Sequence, residues 1–268
     1  MISLWKEKNY ISNIKFIIDR PIVEYDISKA NISVLRDAGA ISEDQYAYLY
    51  NCPKDERSII VGKMQRDDRN VTNILNDGIA NARRVFMENN GIQDSEVLAI
   101  RNDSITVLSD RCMNTNITDR VQFRIAGSYR SYYKLIRNIE LFYDYDLVSN
   151  KEVLDAKGLG DAHILHRNFM LEFLSEIFYQ AQLDNVETAL STISNFYNQY
   201  IHRELDIGYY RELNSQSCYR LNSEFTMLGY IMANNLSNEE KQYLDIGFNA
   251  QILCTLVSYL SSIYFNKR

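Results

Sequence analysis

Residues 96–108 read EVLAIRNDSITVL, two apolar runs on either side of an Asn-Asp pair. This pattern predicts a β-hairpin, because Asn and Asp favour tight turns and the flanking runs are rich in strand-forming residues. Asp103 would then lie in the turn of the hairpin. The hairpin decides the fold of the first half of the chain, since it requires an antiparallel sheet.

The segments before the hairpin supply a helix and a further strand. Residues 69–89 carry apolar side chains every third or fourth position, which predicts a long helix with one face in the core. Residues 22–27, IVEYDI, predict a strand that ends near Asp26. A short helix is expected over residues 28–36, and Ser42 with Gln45 forms the capping-box pattern that opens another helix.

The chain changes character near residue 165. Before it, strand-like and helix-like runs alternate, and after it almost every segment has helical periodicity. Further strands are predicted at residues 121–125, 132–136 and 139–143, and helices at residues 169–178, 190–201 and 251–265. The fold class expected is therefore α+β, with an antiparallel sheet backed by helices and then an all-helical C-terminal region.

Composition excludes several classes of protein. The chain has 268 residues and 29 basic against 35 acidic side chains, a net charge of −6, which argues against a basic nucleic-acid coat protein. No apolar run is long enough to cross a membrane, and the N-terminal residues predict no secretory signal. The four cysteines form no C-x-x-C pair, and His163 with His166 is only weak evidence for a zinc site. Since no secretory signal is predicted, the cysteines are expected to be free thiols in a cytosol.

Asp26 and Asp103 are the strongest candidates for chemistry. The strand 22–27 and the hairpin are expected in one sheet, although the two residues are 103 − 26 = 77 positions apart. Magnesium prefers oxygen ligands and commonly binds one or two carboxylates together with substrate phosphates. A pair of metal ions would require these carboxylates within about 8 Å of each other, because paired ions lie ~3.5–4 Å apart. Glu24, on the same strand, is either a third ligand or a surface carboxylate.

Two short segments resemble motifs of the palm domain of family B (α-like) DNA polymerases. Residues 24–33, EYDISKANIS, resemble the strand and turn that carry one metal-binding Asp in that family. Residues 101–104, RNDS, resemble a degenerate copy of the family's Asp-Thr-Asp-Ser hairpin, with the metal-binding second Asp retained as Asp103. The resemblance implies that Asp26 and Asp103 are catalytic and hold Mg²⁺ or Mn²⁺.

The same resemblance implies how the two substrates are held. In that family the turn after the first Asp holds the nucleoside triphosphate, which corresponds here to Ile27, Ser28, Lys29, Ala30 and Asn31. Lys63 and Arg66 lie where the family places positive charge for the triphosphate.

Two later segments are similar to parts of the family that contact nucleic acid. A strand rich in Lys and Tyr corresponds to residues 129–134, and a Lys-Gly segment followed by basic residues corresponds to Lys157 and Arg167. The resemblance therefore implies nucleic-acid contacts for Tyr129, Lys134, Lys157 and Arg167.

The domain layout follows from the order of these motifs. Residues 1–165 would form a palm-like domain with a short fingers-like insertion at about residues 36–70, and residues 166–268 a helical, thumb-like region. The function expected is a metal-dependent nucleotidyltransferase resembling a minimal DNA polymerase, with nucleic acid and nucleoside triphosphates as partners and no membrane association. The resemblance further implies a viral or mobile-element source and a location in the cytoplasm, of the host if viral.

Two departures from the family keep other functions open. Arg101 replaces the first Asp of the hairpin motif, and the fingers motif, a Lys followed by Asn-Ser-x-Tyr-Gly, is absent. The alternative is a non-catalytic palm-fold scaffold or polymerase subunit that binds nucleic acid or a replication or transcription protein, including another polymerase subunit. A nuclease that uses the same two carboxylates is a third hypothesis.

Overall fold

The structure is a computed structural model, and the residues it describes are 4–135, 139–146, 151–158, 167–183, 185–202, 204, 257–258 and 260–261. The fold is α+β with antiparallel strand pairing. The chain divides into two compact units, residues 1–13 with 21–128 and residues 14–20 with 129–268. The strands and α-helices, in chain order, are β1 Asn9–Ile11, β2 Phe16–Ile17, β3 Ile22–Ile27, α1 Ala30–Asp37, α2 Glu43–Asn51, α3 Lys54–Asp67, α4 Arg69–Asn89, β4 Val97–Arg101, β5 Ser104–Val107, β6 Phe123–Tyr129, β7 Ser131–Lys134, β8 Glu140–Asp146, β9 Lys151–Lys157, α5 Arg167–Gln182 and α6 Val186–Ile201.

The first unit is built on a five-stranded sheet in the order β1-β4-β5-β3-β6. The predicted hairpin is confirmed as β4 and β5, and Arg101 pairs with Ser104 across the turn. The predicted strand is confirmed as β3, which runs antiparallel to β5 with Asp26 opposite Ser104. The pairing of β3 with β5 therefore brings the C-terminal end of β3 and the hairpin turn together at one end of the strands.

Helix α4 forms the main support behind this sheet. It begins and ends at the residues predicted from its periodicity, and its apolar face is buried. Phe86 on this helix packs between two rings of the sheet, 5.1 Å from Tyr25 and 4.3 Å from Phe123 between ring centroids. Since each large aromatic side chain buries 150–250 Å², this cluster contributes much of the stability of the unit.

The short helices before α4 partly follow the sequence prediction. The capping box of α2 is confirmed: Gln45 N–H donates to Ser42 Oγ, and Ser42 N–H donates to the Gln45 side chain. Helix α1 begins at Ala30. Helix α3 was not predicted, because only Val61 of its fourteen residues is buried and no apolar stripe marks it in the sequence.

Close packing of α1 against α4 depends on Gly78. A methyl group added at this position would overlap Val34 Cγ1 on α1. We expect Gly78→Ala to destabilise the protein by about 1–2 kcal/mol, because overpacking costs more than the gain in helix propensity. Urea unfolding measures the effect. Gly62→Ala on α3 is the matched control, since nothing lies within 4 Å of the added carbon, and we expect it to stabilise slightly. Equal stability of the two variants would contradict this account.

The second unit contains a four-stranded antiparallel sheet in the order β2-β7-β8-β9. Helix α5 packs on this sheet, and the Phe178 ring stacks on Tyr133 with centroids 4.2 Å apart. Strands β7 and β8 lie at the predicted strands 132–136 and 139–143 with shifted ends, and α5 and α6 at the predicted helices. Strand β9 was not predicted, because its residues alternate too weakly in polarity to stand out.

Some sequence predictions fall outside the described residues. The domain boundary expected near residue 165 does so, as do most of the helix predicted at 251–265 and the histidines His163 and His166. Within the described part of the chain, no helix is long and apolar enough to cross a membrane.

Candidate active site

Asp26 and Asp103 lie together at one end of the inner strands of the first sheet. Asp26 lies near the end of β3, opposite the residue that follows Asp103, and Ile27 N–H donates to the Asp103 carbonyl at 3.2 Å. The two carboxyl groups lie within hydrogen-bonding reach of each other. Residues 77 positions apart in the sequence are thus in direct contact in the fold.

The hairpin turn holds Asp103 in place through its backbone. Asn102 has a φ of 48°, the left-handed region in which Asn is enriched among non-glycine residues. Its N–H donates to the Lys8 carbonyl at 2.7 Å, and Ser104 Oγ donates to the Arg101 carbonyl at 3.2 Å. Two strands and the N-terminal segment therefore fix the turn.

Burial and neighbouring charges shift the ionisation of Asp103. Burial raises the pKa of the Asp103 carboxyl above its usual range, and the nearby Asp26 charge raises it further. The guanidinium of Arg83 opposes this shift. Asp26 is paired with Arg124, whose Nη2 lies 3.2 Å from Asp26 Oδ2, but the Arg124 side chain is 66% exposed and can leave.

The raised pKa of Asp103 gives a prediction about stability and pH. A proton on Asp103 favours the folded state, so its contribution is fully present below the usual pKa of this group and is lost as pH rises through the folded-state pKa. We therefore expect Asp103→Asn to raise the melting temperature of the metal-free protein by a few degrees at pH 7. At pH 4 the gain should shrink. Asp110→Asn, at an exposed position, is the control, and a variant less stable than wild type at pH 7 would contradict the prediction.

A cleft of about 600 Å³ opens beside the two carboxylates. Its walls come from the turn after β3, the start of α1, helices α2 and α3, the hairpin turn, and the segment around β6. The residues that line it are Asp26, Ile27, Ser28, Lys29, Ala30, Asn31, Ser33, Tyr46, Tyr50, Lys54, Arg57, Ser58, Asn102, Asp103, Asp119, Arg120, Gln122 and Arg124. The carboxylate pair at one edge thus adjoins a wall with five basic side chains, and the cleft suits a ligand that carries both metal and phosphate.

All five residues predicted to hold phosphates, 27–31, line this cleft. Lys29 has a φ of 48°, and its Nζ donates to the Tyr50 carbonyl at 2.6 Å. This bond ties the turn to the end of α2. Helix α1 begins at the next residue, so the first N–H groups of an eight-residue helix lie at the cleft.

The basic residues of α3 that line the cleft are Lys54 and Arg57, which sequence reasoning missed. Lys63 and Arg66, which it proposed, are not among the lining residues. They lie nine residues further along the same helix, about 14 Å at 1.5 Å per residue, and Arg66 is 3.7 Å from Asp67. The sequence feature that could have identified them is the Lys-x-x-Arg spacing in the first turn of α3, which places both side chains on one face of the helix.

The four residues predicted to contact nucleic acid lie in the second unit. Tyr129 is buried, and its hydroxyl donates to Asp155 Oδ2 at 3.2 Å. Lys157 Nζ lies 3.7 Å from the same carboxylate. Lys134 is half-buried and its N–H donates to the Lys15 carbonyl. Arg167 begins α5, and its side chain is not among those described. A nucleic-acid role for them stays a prediction.

Glu24 is buried at 7% exposure, so its interpretation as a surface carboxylate is wrong. Glu24 pairs across the sheet with Thr106, which is fully buried, whereas Asp26 on the same strand keeps 24% of its side chain exposed. In the part of the chain that the structure describes, no group of three or more His, Cys, Asp and Glu side chains is arranged to hold a metal ion. The site therefore offers a pair of carboxylates, and a bound divalent cation would take most of its other ligands from substrate and water.

Comparison with known proteins identifies a family that the chain matches over most of its length. A family model described as bacteriophage PBS1 gene 130 protein matches residues 1–262. No curated protein matches the chain. The phage description agrees with the viral source that the sequence resemblance implied.

Proposed function

We propose that this chain, which belongs to the bacteriophage PBS1 gene 130 protein family, is a metal-dependent nucleotidyltransferase that resembles a minimal DNA polymerase palm. The observation that carries the proposal is the contact between Asp26 and Asp103 at the mouth of a basic cleft. Fold analogy alone would not identify a function, so the proposal rests on the chemistry of these side chains.

The carboxylate pair fits Mg²⁺ or Mn²⁺. Burial raises the pKa of Asp103, and repulsion by the neighbouring Asp26 charge raises it further, so the ionised pair is unfavourable. A divalent cation relieves it, and Mg²⁺ typically takes one or two carboxylates plus substrate phosphates. When bound, the ion neutralises charge on the reacting phosphate. Arg124 supplies positive charge to Asp26 in its place.

The basic wall fits the triphosphate of a nucleotide. Lys54 and Arg57 face the cleft from α3, and within the described residues neither side chain forms an ion pair with an acidic side chain. The backbone of residues 27–31 would hold phosphate oxygens at the start of α1. Positioning and charge neutralisation are the main requirements of phosphoryl transfer, and these residues meet both.

The reaction proposed conserves atoms and charge. The 3′-oxygen of a nucleic-acid end forms a bond to the α-phosphorus, the bond from that phosphorus to the β-phosphate oxygen breaks, and pyrophosphate leaves. The hydroxyl proton passes to solvent. Asp26 and Asp103 would orient the reacting groups, while Lys54 and Arg57 stabilise the leaving pyrophosphate.

The finer architecture belongs to this proposal. Strand β3 next to the β4–β5 hairpin, with α4 behind them, supports a palm-like first unit. Helices α2 and α3 would act as short fingers, and residues 166–268, predicted from the sequence to be helical, as a thumb. Nucleic acid would be the second substrate, and Tyr129, Lys134, Lys157 and Arg167 its predicted contacts, in the cytoplasm of a phage-infected host.

The test is primer extension with Mn²⁺ and then Mg²⁺. A labelled primer–template is supplied with four deoxynucleotides in one lane and four ribonucleotides in another, and Asp103→Asn runs beside wild type. Extension by wild type that disappears in the variant supports the proposal and shows the sugar preference. Shortened primer would instead identify a nuclease with the same carboxylates. No change with either metal would overturn the proposal for the isolated chain and favour the scaffold alternative.

A further inference from the structure

Arg83 is a charged residue in the core of the first unit. It lies on α4 with 1% of its surface exposed and is among the largest fully buried side chains of the described residues. Buried arginine is rare unless its charge and hydrogen bonds are satisfied. Its sequence position, between Ile79 and Phe86 on the apolar face of the helix, is one where an aliphatic residue would normally pack.

The guanidinium of Arg83 binds three backbone carbonyls from two distant segments. Nε donates to the Trp5 carbonyl at 3.1 Å and Nη2 to the Glu7 carbonyl at 2.9 Å. Nη1 donates to the carbonyl of Asn102, in the hairpin turn. The guanidinium carries five N–H donors on three nitrogens in one plane, so it can serve three carbonyls that lie around it at once.

These bonds act on the residue next to Asp103. The Asn102 carbonyl is held by Arg83, and the Asn102 N–H is held by the Lys8 carbonyl at 2.7 Å. The peptide groups before and after Asn102 are therefore both fixed to elements outside the hairpin. A shift of the turn would move the Asp103 carboxyl away from Asp26, and misplacement by about 1 Å can cost about 10²-fold in rate.

We infer that Arg83 is a positioning residue, which fixes the Asn102–Asp103 turn between α4 and the N-terminal segment so that the two carboxylates stay in contact. The role in catalysis rests on the proposed function, but the fixation of the turn does not. A residue that only supports the fold would protect all amides of the unit from hydrogen exchange to a similar degree. A residue that positions the turn should protect the turn amides more than the other amides of the unit.

The experiment compares Arg83→Gln, Arg83→Lys and Gly78→Ala with wild type. Gly78→Ala is the matched control, because it destabilises the α1–α4 contact and leaves the turn untouched. Amide hydrogen exchange is measured in the metal-free protein at Asn102, which donates to Lys8, and at Ile27, which donates to Asp103. The same variants are then assayed for kcat and for KM of the nucleoside triphosphate.

We expect Arg83→Gln to accelerate exchange at both amides at least tenfold relative to amides within α4, whereas Gly78→Ala leaves this ratio unchanged. Arg83→Lys keeps a buried charge but cannot reach three carbonyls, so it should show the same local effect if Arg83→Gln does not fold. Turn amides as protected as wild type in either folded variant, or an equal change in Gly78→Ala, would overturn the inference.

The kinetic readout separates this inference from the proposed function. With active enzyme, kcat should fall at least tenfold in Arg83→Gln while KM changes little, because Lys54 and Arg57 are not disturbed. If no variant and no wild-type protein transfers nucleotides, the proposed function fails, and the exchange ratio still decides whether Arg83 fixes the turn.

Discussion

Asp26→Asn and Asp103→Asn should each lower the rate of nucleotide transfer by about 10³-fold or more. The carboxylates supply the charge that retains the divalent cation, and the cation stabilises the transition state by several kcal/mol, with about 1.4 kcal/mol for each tenfold in rate. An amide of the same size keeps the shape and loses the charge. The measurement is single-turnover primer extension at saturating Mg²⁺ and at saturating Mn²⁺.

The control for this prediction is Asp110→Asn, an acidic residue exposed outside the cleft. Its rate should equal that of wild type. The melting temperature shows whether an inactive variant is still folded, since Asp103→Asn is expected to stabilise the metal-free protein. Mg²⁺ should raise the melting temperature of wild type and of Asp110→Asn, but not of the two site variants. Full activity in Asp103→Asn would remove this carboxylate from the reaction.

Lys54→Ala should weaken binding of the nucleoside triphosphate by about tenfold, Arg57→Ala by somewhat more, and the double variant by about 100-fold or more. Hydrogen bonds to charged groups contribute about 1.5–3 kcal/mol, and the lower value applies because Lys54 is exposed and Arg57 half-buried. Arg57 should have the larger effect, since its guanidinium can bind a phosphate through two parallel bonds. KM for the nucleotide, measured at saturating primer–template, reports the change.

The matched comparison is Lys63→Ala with Arg66→Ala, on the same helix and with the same loss of two charges. The structure does not place these residues in the cleft, so their replacement should leave KM within about twofold of wild type. If instead Lys63→Ala and Arg66→Ala raise KM and Lys54→Ala and Arg57→Ala do not, the triphosphate binds elsewhere. The sequence prediction for Lys63 and Arg66 would then be the better one.

The two pairs differ only in position on α3, which shows what sequence reasoning could not reach. Helix α3 has no apolar stripe, so neither its ends nor its facing side could be derived from periodicity. The sequence therefore assigns Lys63 and Arg66 to the triphosphate only by their place in the order of the motifs. Its distance from the carboxylates depends on how α3 lies against α4, which is a tertiary contact.

Local features of the sequence determined the elements that carry the site. The hairpin β4–β5, the strand β3 and the helix α4 follow from patterns within at most 21 consecutive residues, since alternation, turn residues and helical periodicity act through neighbouring side chains. The positions of Asp26 at a strand end and Asp103 in a turn came from the same patterns.

Only the tertiary structure decided that these carboxylates touch, that Glu24 is buried, and that Arg83 reaches the Asn102 carbonyl. These features join separate elements of the chain. Asp26 and Asp103 meet through the pairing of β3 with β5, and Arg83 binds residues 19, 76 and 78 positions away. Such contacts depend on which strands pair and how helices pack on them. That choice is made by burial of the whole core, so no short stretch of sequence contains it.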